Sequence, residues 1–145
     1  MGTVDIRLLL LLLVGLAVAA VGVLFRRATA RRLPDVPDEV FVERIRRSYA
    51  GGREVVLKER CFVASLLSIP AQKLSPEQTI DELRRRFSFL AEFSVGANDL
   101  YDEAAEMRQA SGLPGRESAP DTIGELIEDL ARGREAIASR KTRGA

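Results

Sequence analysis

An unbroken run of eighteen apolar residues near the N-terminus, residues 8–25, constrains this chain more than any other feature. A helix of that length spans roughly 27 Å, at about 1.5 Å per residue, which is close to the hydrocarbon thickness of a bilayer, about 30 Å. Ile6 extends the run, and the guanidinium of Arg7 can reach the headgroups. We therefore predict a transmembrane signal-anchor at residues 1–25, with the lipid bilayer as the partner of residues 6–25.

Positive charge is concentrated on the C-terminal side of this run. Arg26, Arg27, Arg31 and Arg32 follow it, whereas only Arg7 precedes it. The positive-inside rule then predicts a single-pass protein with its N-terminus outside and its C-terminal domain in the cytoplasm. The four arginines are also expected to contact anionic lipids as a secondary effect.

A cleaved secretory signal is the alternative, because residues 17–19 form an A-x-A site after a leucine-rich core. Three features favour the anchor. The charged region before the run is short, the apolar run continues for six residues beyond Ala19, and the arginines follow it, where they oppose translocation.

The composition of the chain excludes several classes of function. The chain has 22 basic and 21 acidic residues, so its net charge of +1 does not favour nucleic-acid binding. It has no histidine, which excludes a Ser-His or Cys-His nucleophile pair and a histidine-containing zinc site. Cys61 is the single cysteine, which suits a reducing compartment. We therefore expect no enzyme, no catalytic residues and no metal site.

The remaining residues show helical patterns and no strand pattern or internal repeat. They predict a basic linker at 26–37, a helical domain at 38–133 and a flexible tail at 134–145 after Gly133. Within the domain, Ser75 and Pro76 are typical of a helix start. That helix is expected to run from 76 to about 93, with a break at 94–97. The next helix is expected to begin at Asn98 or Asp99, and the last one at Asp121 or Thr122.

Residues 55–131 resemble an acyl carrier protein. The motifs that carry the resemblance are the loop at 73–83, the segment Gly96-Ala97-Asn98-Asp99-Leu100 and the closing helix at 121–126. The second is similar to the family's Gly-x-Asp-Ser-Leu, in which the serine carries a phosphopantetheine arm at the start of a helix. The resemblance implies an all-α fold: an N-terminal transmembrane helix followed by a four- or five-helix acyl-carrier-like bundle.

Two departures from the family pattern bear on function. Asp99, flanked by Asn98 and Leu100, stands where the family has its attachment serine, and a carboxylate cannot accept the phosphodiester link. Residues 84–95 also form an insertion relative to the family. The resemblance therefore implies a degenerate attachment position and no bound cofactor. Phosphopantetheine is expected as a cofactor only in the alternative in which Ser88 or Ser94 is the modified residue.

An acidic stripe is predicted on the helix that contains Asp99. Asp99, Asp102, Glu103 and Glu106 lie at i, i+3, i+4 and i+7, and the corresponding carrier helix is read by basic partners. A solvated face without a partner is the simpler interpretation, and the same holds for the charge run at Arg84, Arg85 and Arg86.

Together these features predict a membrane-anchored, non-catalytic, acyl-carrier-like interaction module with a basic protein partner. Two alternatives stay open. One is a genuine carrier that uses another serine. The other is a small structural subunit of a membrane complex, in which Phe87, Phe89 and Phe93 would face a partner.

Overall fold

The computed structural model describes residues 6–87, 91–112 and 120–143, with the side chains of 91–94 left out of the description. The chain forms two compact units, Met1–Leu33 and Pro34–Ala145.

The first unit contains one long helix, α1, at Ile6–Arg31. It is the single helix in the described residues that is long and apolar enough to cross a membrane, and its apolar side chains point outward (Leu11 is 71% and Leu16 is 72% exposed). A candidate membrane-spanning helix is therefore confirmed. The helix continues through the first arginines, so the predicted linker at 26–37 is partly helical.

The second unit is an all-helical bundle, as predicted. Its described residues form five α-helices and one short 3₁₀ turn at Ala71–Lys73. The α-helices are α2 at Asp38–Ile45, α3 at Arg53–Leu67, α4 at Ile80–Phe87, α5 at Ala91–Ser111 and α6 at Ile123–Arg143.

Helices α3, α5 and α6 form the centre of the bundle. Each contributes an apolar face to one core, which includes Val63 and Leu67 of α3, Leu100 of α5, and Ile127 and Leu130 of α6, all at most 1% exposed. Two glycines set the spacing of these helices. A Cβ at Gly96 would overlap the carbonyl oxygen of Leu66, and one at Gly133 would overlap Met107.

The predicted flexible tail at 134–145 is wrong for its described part, because α6 continues to Arg143. Gly133 was expected to end the helix through its conformational freedom. Instead it is buried in the helix interior where α6 meets α5 at Met107. A glycine whose missing Cβ permits close packing does not interrupt a helix.

Helices α4 and α6 begin with nearly the same five residues, Thr-Ile-Asp-Glu-Leu at 79–83 and Thr-Ile-Gly-Glu-Leu at 122–126. The sequence analysis missed this repeat. Each threonine hydroxyl oxygen accepts the amide N–H three residues later, at 3.0 Å from Glu82 and 3.2 Å from Glu125. Such side-chain caps satisfy amides that a helix start leaves unpaired.

The two helix starts also pair with each other through the backbone. The Ile80 amide donates to the Asp121 carbonyl at 3.2 Å, and the Ile123 amide donates to the Gln78 carbonyl at 2.9 Å. This antiparallel bridge requires extended backbone at Thr79, so α4 begins at Ile80 rather than at Pro76 as predicted. The Ser75 amide still donates to the Gln78 side chain at 2.9 Å, as expected for a capping box, but the segment forms a turn.

Candidate functional site: the outer face of α5

The structure places three of the four predicted stripe residues on an exposed face of α5. Asp99, Asp102 and Glu106 are exposed, and their carboxylates form no hydrogen bond or ion pair with the described residues. On the opposite face, Ala97, Leu100 and Ala104 are at most 1% exposed. One side of α5 is therefore buried in the core, and the opposite side is exposed to solvent.

Glu103 does not belong to this face. It is half-buried, and its carboxylate accepts from Arg134 of α6 at 3.5 Å. Arg134 also lies 2.8 Å from the carboxylate of Glu59, which is only 1% exposed, and its guanidinium sits 4.9 Å from the ring centre of Phe62. Glu103 is thus part of a cluster that joins α3, α5 and α6.

The sequence analysis missed this cluster because Arg134 fell in the predicted tail. The sequence of α3 does, however, indicate that Glu59 is buried. Glu59 follows Val56 by three residues and precedes Val63 by four, and both valines are fully buried. The helical period therefore places the Glu59 carboxylate on the core face. A charge at a core position indicates a buried partner, since an unpaired buried carboxylate is costly.

A second ion pair holds α5 against α6. The guanidinium of Arg108 donates to Asp129 at 2.7 Å, and Asp129 is 2% exposed. Together with the close approach at Gly133, this pair fixes the inner side of α5. The outer face carrying Asp99, Asp102 and Glu106 contributes no such contact to the bundle.

The prediction that a helix begins at Asn98 or Asp99 is wrong. Helix α5 begins at Ala91, so Asp99 is its ninth residue and both side chains are exposed in the helix interior. The expected break at 94–97 does not form, because Gly96 is a packing glycine against Leu66. Asp99 therefore does not lie at a helix N-terminus, the environment that favours an anion. The resemblance to a carrier attachment site stays a prediction.

The alternative attachment serines have different positions. Position 94 is the fourth residue of α5 and so falls in its first turn. Ser88 lies outside the described residues, as do Phe89 and the side chain of Phe93. Phe87 is 1% exposed in the core of its own unit and does not face outward, as the structural-subunit alternative requires.

Tyr101 lies on α5 between Leu100 and Asp102, where α5 approaches α4. Burial raises the pKa of the half-buried Tyr101 phenol above its ordinary value of 10.0. The positive charge of Arg84 lowers this pKa, and the negative charges of Asp81 and Asp121 raise it. The phenol therefore stays protonated and uncharged at neutral pH.

The arginine run of α4 is locally paired. Arg86 donates to Glu82 at 3.0 Å, and Arg84 lies 3.8 Å from Asp81. These are the i,i+4 and i,i+3 pairs of an ordinary exposed helix surface. Across the described ranges, no group of three or more histidine, cysteine or acidic residues is arranged to hold a metal ion.

The most distinctive surface of the second unit is therefore the outer face of α5, defined by Val95, Asp99, Asp102 and Glu106. No protein-family model, no curated protein and no solved structure matches this chain.

Proposed function

We propose that this chain is a membrane-anchored, non-catalytic interaction module resembling an acyl carrier protein. In this proposal α1 spans the membrane with its N-terminus outside, and the bundle lies in the cytoplasm. The outer face of α5 binds a basic protein partner. The observation that carries the proposal is the set of three exposed, unpaired carboxylates on that face.

Those carboxylates repel one another along the helix. Asp99 and Asp102 are neighbours at i,i+3, and Asp102 and Glu106 are neighbours at i,i+4, so each pair destabilises the helix by about 0.2–0.5 kcal/mol. Most other carboxylates of the unit have a cationic partner: Asp35, Asp38, Glu39, Glu59, Glu77, Asp81, Glu82, Glu103, Glu128 and Asp129. A basic partner would relieve the repulsion on the outer face of α5.

Val95 adds an apolar contact to the same face. It lies one turn before Asp99 and is 59% exposed, more than any other large apolar side chain among the described residues of the second unit. An exposed apolar residue beside unpaired charges supports a docking surface, since interfaces combine an apolar centre with a polar rim.

We expect the triple variant Asp99→Asn, Asp102→Asn, Glu106→Gln to lose partner binding without a loss of stability, since removing the two like-charge pairs stabilises the helix by up to about 1 kcal/mol. A photo-crosslinking residue at exposed Ala105, between Asp102 and Glu106, would report the contact in cells. The crosslinked peptide should be rich in lysine and arginine. Its yield should fall in the triple variant and with rising salt, because exposed charges are screened.

The matched control removes three exposed, unpaired carboxylates elsewhere, through Glu43→Gln, Glu54→Gln and Asp121→Asn. It should crosslink like the natural chain. Equal crosslinking in both triple variants, or a crosslinked peptide without basic residues, would contradict the proposed docking face.

The proposed orientation can be tested with the single cysteine. Cys61 is exposed on α3, so a membrane-impermeant maleimide should label it in sealed inside-out vesicles and not in right-side-out vesicles. A Cys61→Ser, Thr3→Cys variant should show the opposite pattern. Labelling of Cys61 in right-side-out vesicles would place the bundle on the outer side and reject the orientation.

A genuine carrier is the second candidate, favoured by the position of residue 94 in the first turn of α5. The two functions are separated by incubating the protein with a phosphopantetheinyl transferase and coenzyme A and then weighing it. Under the leading proposal the mass does not change. A gain equal to the phosphopantetheine arm, abolished by Ser94→Ala and retained in Ser88→Ala, would establish the carrier function instead.

A further inference from the structure

The apolar run and the arginines that follow it lie on one continuous helix. Helix α1 passes from Phe25 to Arg31 without a break. At about 1.5 Å per residue, this extension rises about 9 Å beyond the apolar run. The headgroup layer is about 5–7 Å thick on each side of the hydrocarbon core. With the apolar run filling the core, the extension therefore crosses the headgroup layer.

Three exposed arginines lie on this extension and in the turn that follows it. At about 100° per residue, Arg27 and Arg31 are separated by about 40°. Arg32 follows in a turn closed by its amide donating to Thr29 at 3.1 Å. Because the extension crosses the headgroup layer, the position of these arginines favours lipid as the occupant.

Residues 6–34 contain no aspartate or glutamate, and Arg27, Arg31 and Arg32 are exposed. The next carboxylate along the chain, Asp35, lies 3.0 Å from the ammonium group of Lys73. Guanidinium groups bind phosphate oxygens through two parallel hydrogen bonds. Three exposed arginines in six residues thus match a phosphate that carries a net negative charge.

We propose that Arg27, Arg31 and Arg32, the arginine collar, form a binding site for the headgroups of anionic phospholipids in the leaflet at the C-terminal end of α1. The site selects phosphatidylglycerol over phosphatidylcholine, because choline offsets the phosphate charge. This inference rests on the membrane anchoring in the proposed function, but not on the orientation or on the outer face of α5.

The test uses the full chain reconstituted in phosphatidylcholine bilayers, after flotation has shown that the chain stays with the vesicles. Spin-labelled phosphatidylglycerol or phosphatidylcholine is then added, and the motionally restricted fraction gives their relative association with the protein. We expect a preference for phosphatidylglycerol of about fivefold or more, which decreases at high salt.

Two variants locate the preference. R27Q/R31Q/R32Q should bring the ratio close to one, whereas R27K/R31K/R32K should retain most of it because the charges remain. The matched control K58Q/R140Q/K141Q removes three exposed positive charges from the bundle and should behave like the natural chain.

The outcomes separate the two proposals. If the chain does not float with vesicles, membrane anchoring fails and the lipid site fails with it. If it floats but associates equally with both lipids, only the lipid site is overturned. A loss of preference in the control as large as in R27Q/R31Q/R32Q would show a general charge effect and would also overturn the site.

Discussion

Replacing Arg60 by methionine is expected to destabilise the bundle by about 2–6 kcal/mol, because two buried carbonyl groups lose their hydrogen-bond donor at a cost of about 1–3 kcal/mol each. Arg60 is fully buried, and its guanidinium donates to Asp38 at 2.7 Å. It also donates to the carbonyls of Val36 and Leu74, at 2.8 and 2.9 Å, and lies 4.1 Å from the ring centre of Phe41. Methionine fills much of the space but leaves these acceptors without a donor.

The free energy of unfolding can be measured with denaturant through tyrosine fluorescence. The chain has two tyrosines, Tyr49 and Tyr101, and no tryptophan, so the signal reports the second unit and not α1. Arg53→Met is the matched control, because Arg53 pairs with Glu39 at 2.9 Å on the surface. It should change the free energy of unfolding by less than about 1 kcal/mol. Equal losses in the two variants would show that Arg60 does not have the proposed role.

The Gly96→Ala substitution should destabilise the bundle by about 3 kcal/mol, the upper part of the range for overpacked cores. Helix propensity alone predicts the opposite sign, since alanine is better than glycine in a helix interior by about 1 kcal/mol. The new methyl group would overlap the Leu66 carbonyl, which is backbone and cannot rotate away. Helices α3 and α5 would have to separate.

The control for this prediction is Gly52→Ala. Gly52 precedes α3, and a Cβ there would meet nothing within 4 Å, so the expected loss is at most about 1 kcal/mol. The same tyrosine signal measures both variants. A Gly96→Ala protein as stable as the natural chain, or more so, would mean that α5 does not pack on Leu66 as described.

The sequence predicted those features of the fold that depend on local pattern. The apolar helix and the start of the last helix at Thr122 both follow from residue type and spacing, and both are observed. Two of the misplaced boundaries involve glycine. Local rules treat Gly96 and Gly133 as helix breakers, whereas their role depends on Leu66 and Met107 in other helices.

The outer face of α5 was only partly predicted from the sequence, because local patterns do not show contacts between distant helices. Helical spacing was enough to bring Asp99, Asp102 and Glu106 onto one side. It could not separate Glu103 from them, because the partner that distinguishes it is Arg134, 31 residues away in sequence. Pairing between distant helices is decided by the packed fold, and no motif near Glu103 specifies it.

The mutual pairing of the starts of α4 and α6 has a consequence for how the bundle unfolds. Each start uses a backbone carbonyl supplied by the other, so melting either helix leaves its neighbour with an open amide. The segments involved are about forty residues apart, between Thr79 and Thr122. The start of α4 and the start of α6 are therefore expected to unfold together rather than to fray independently.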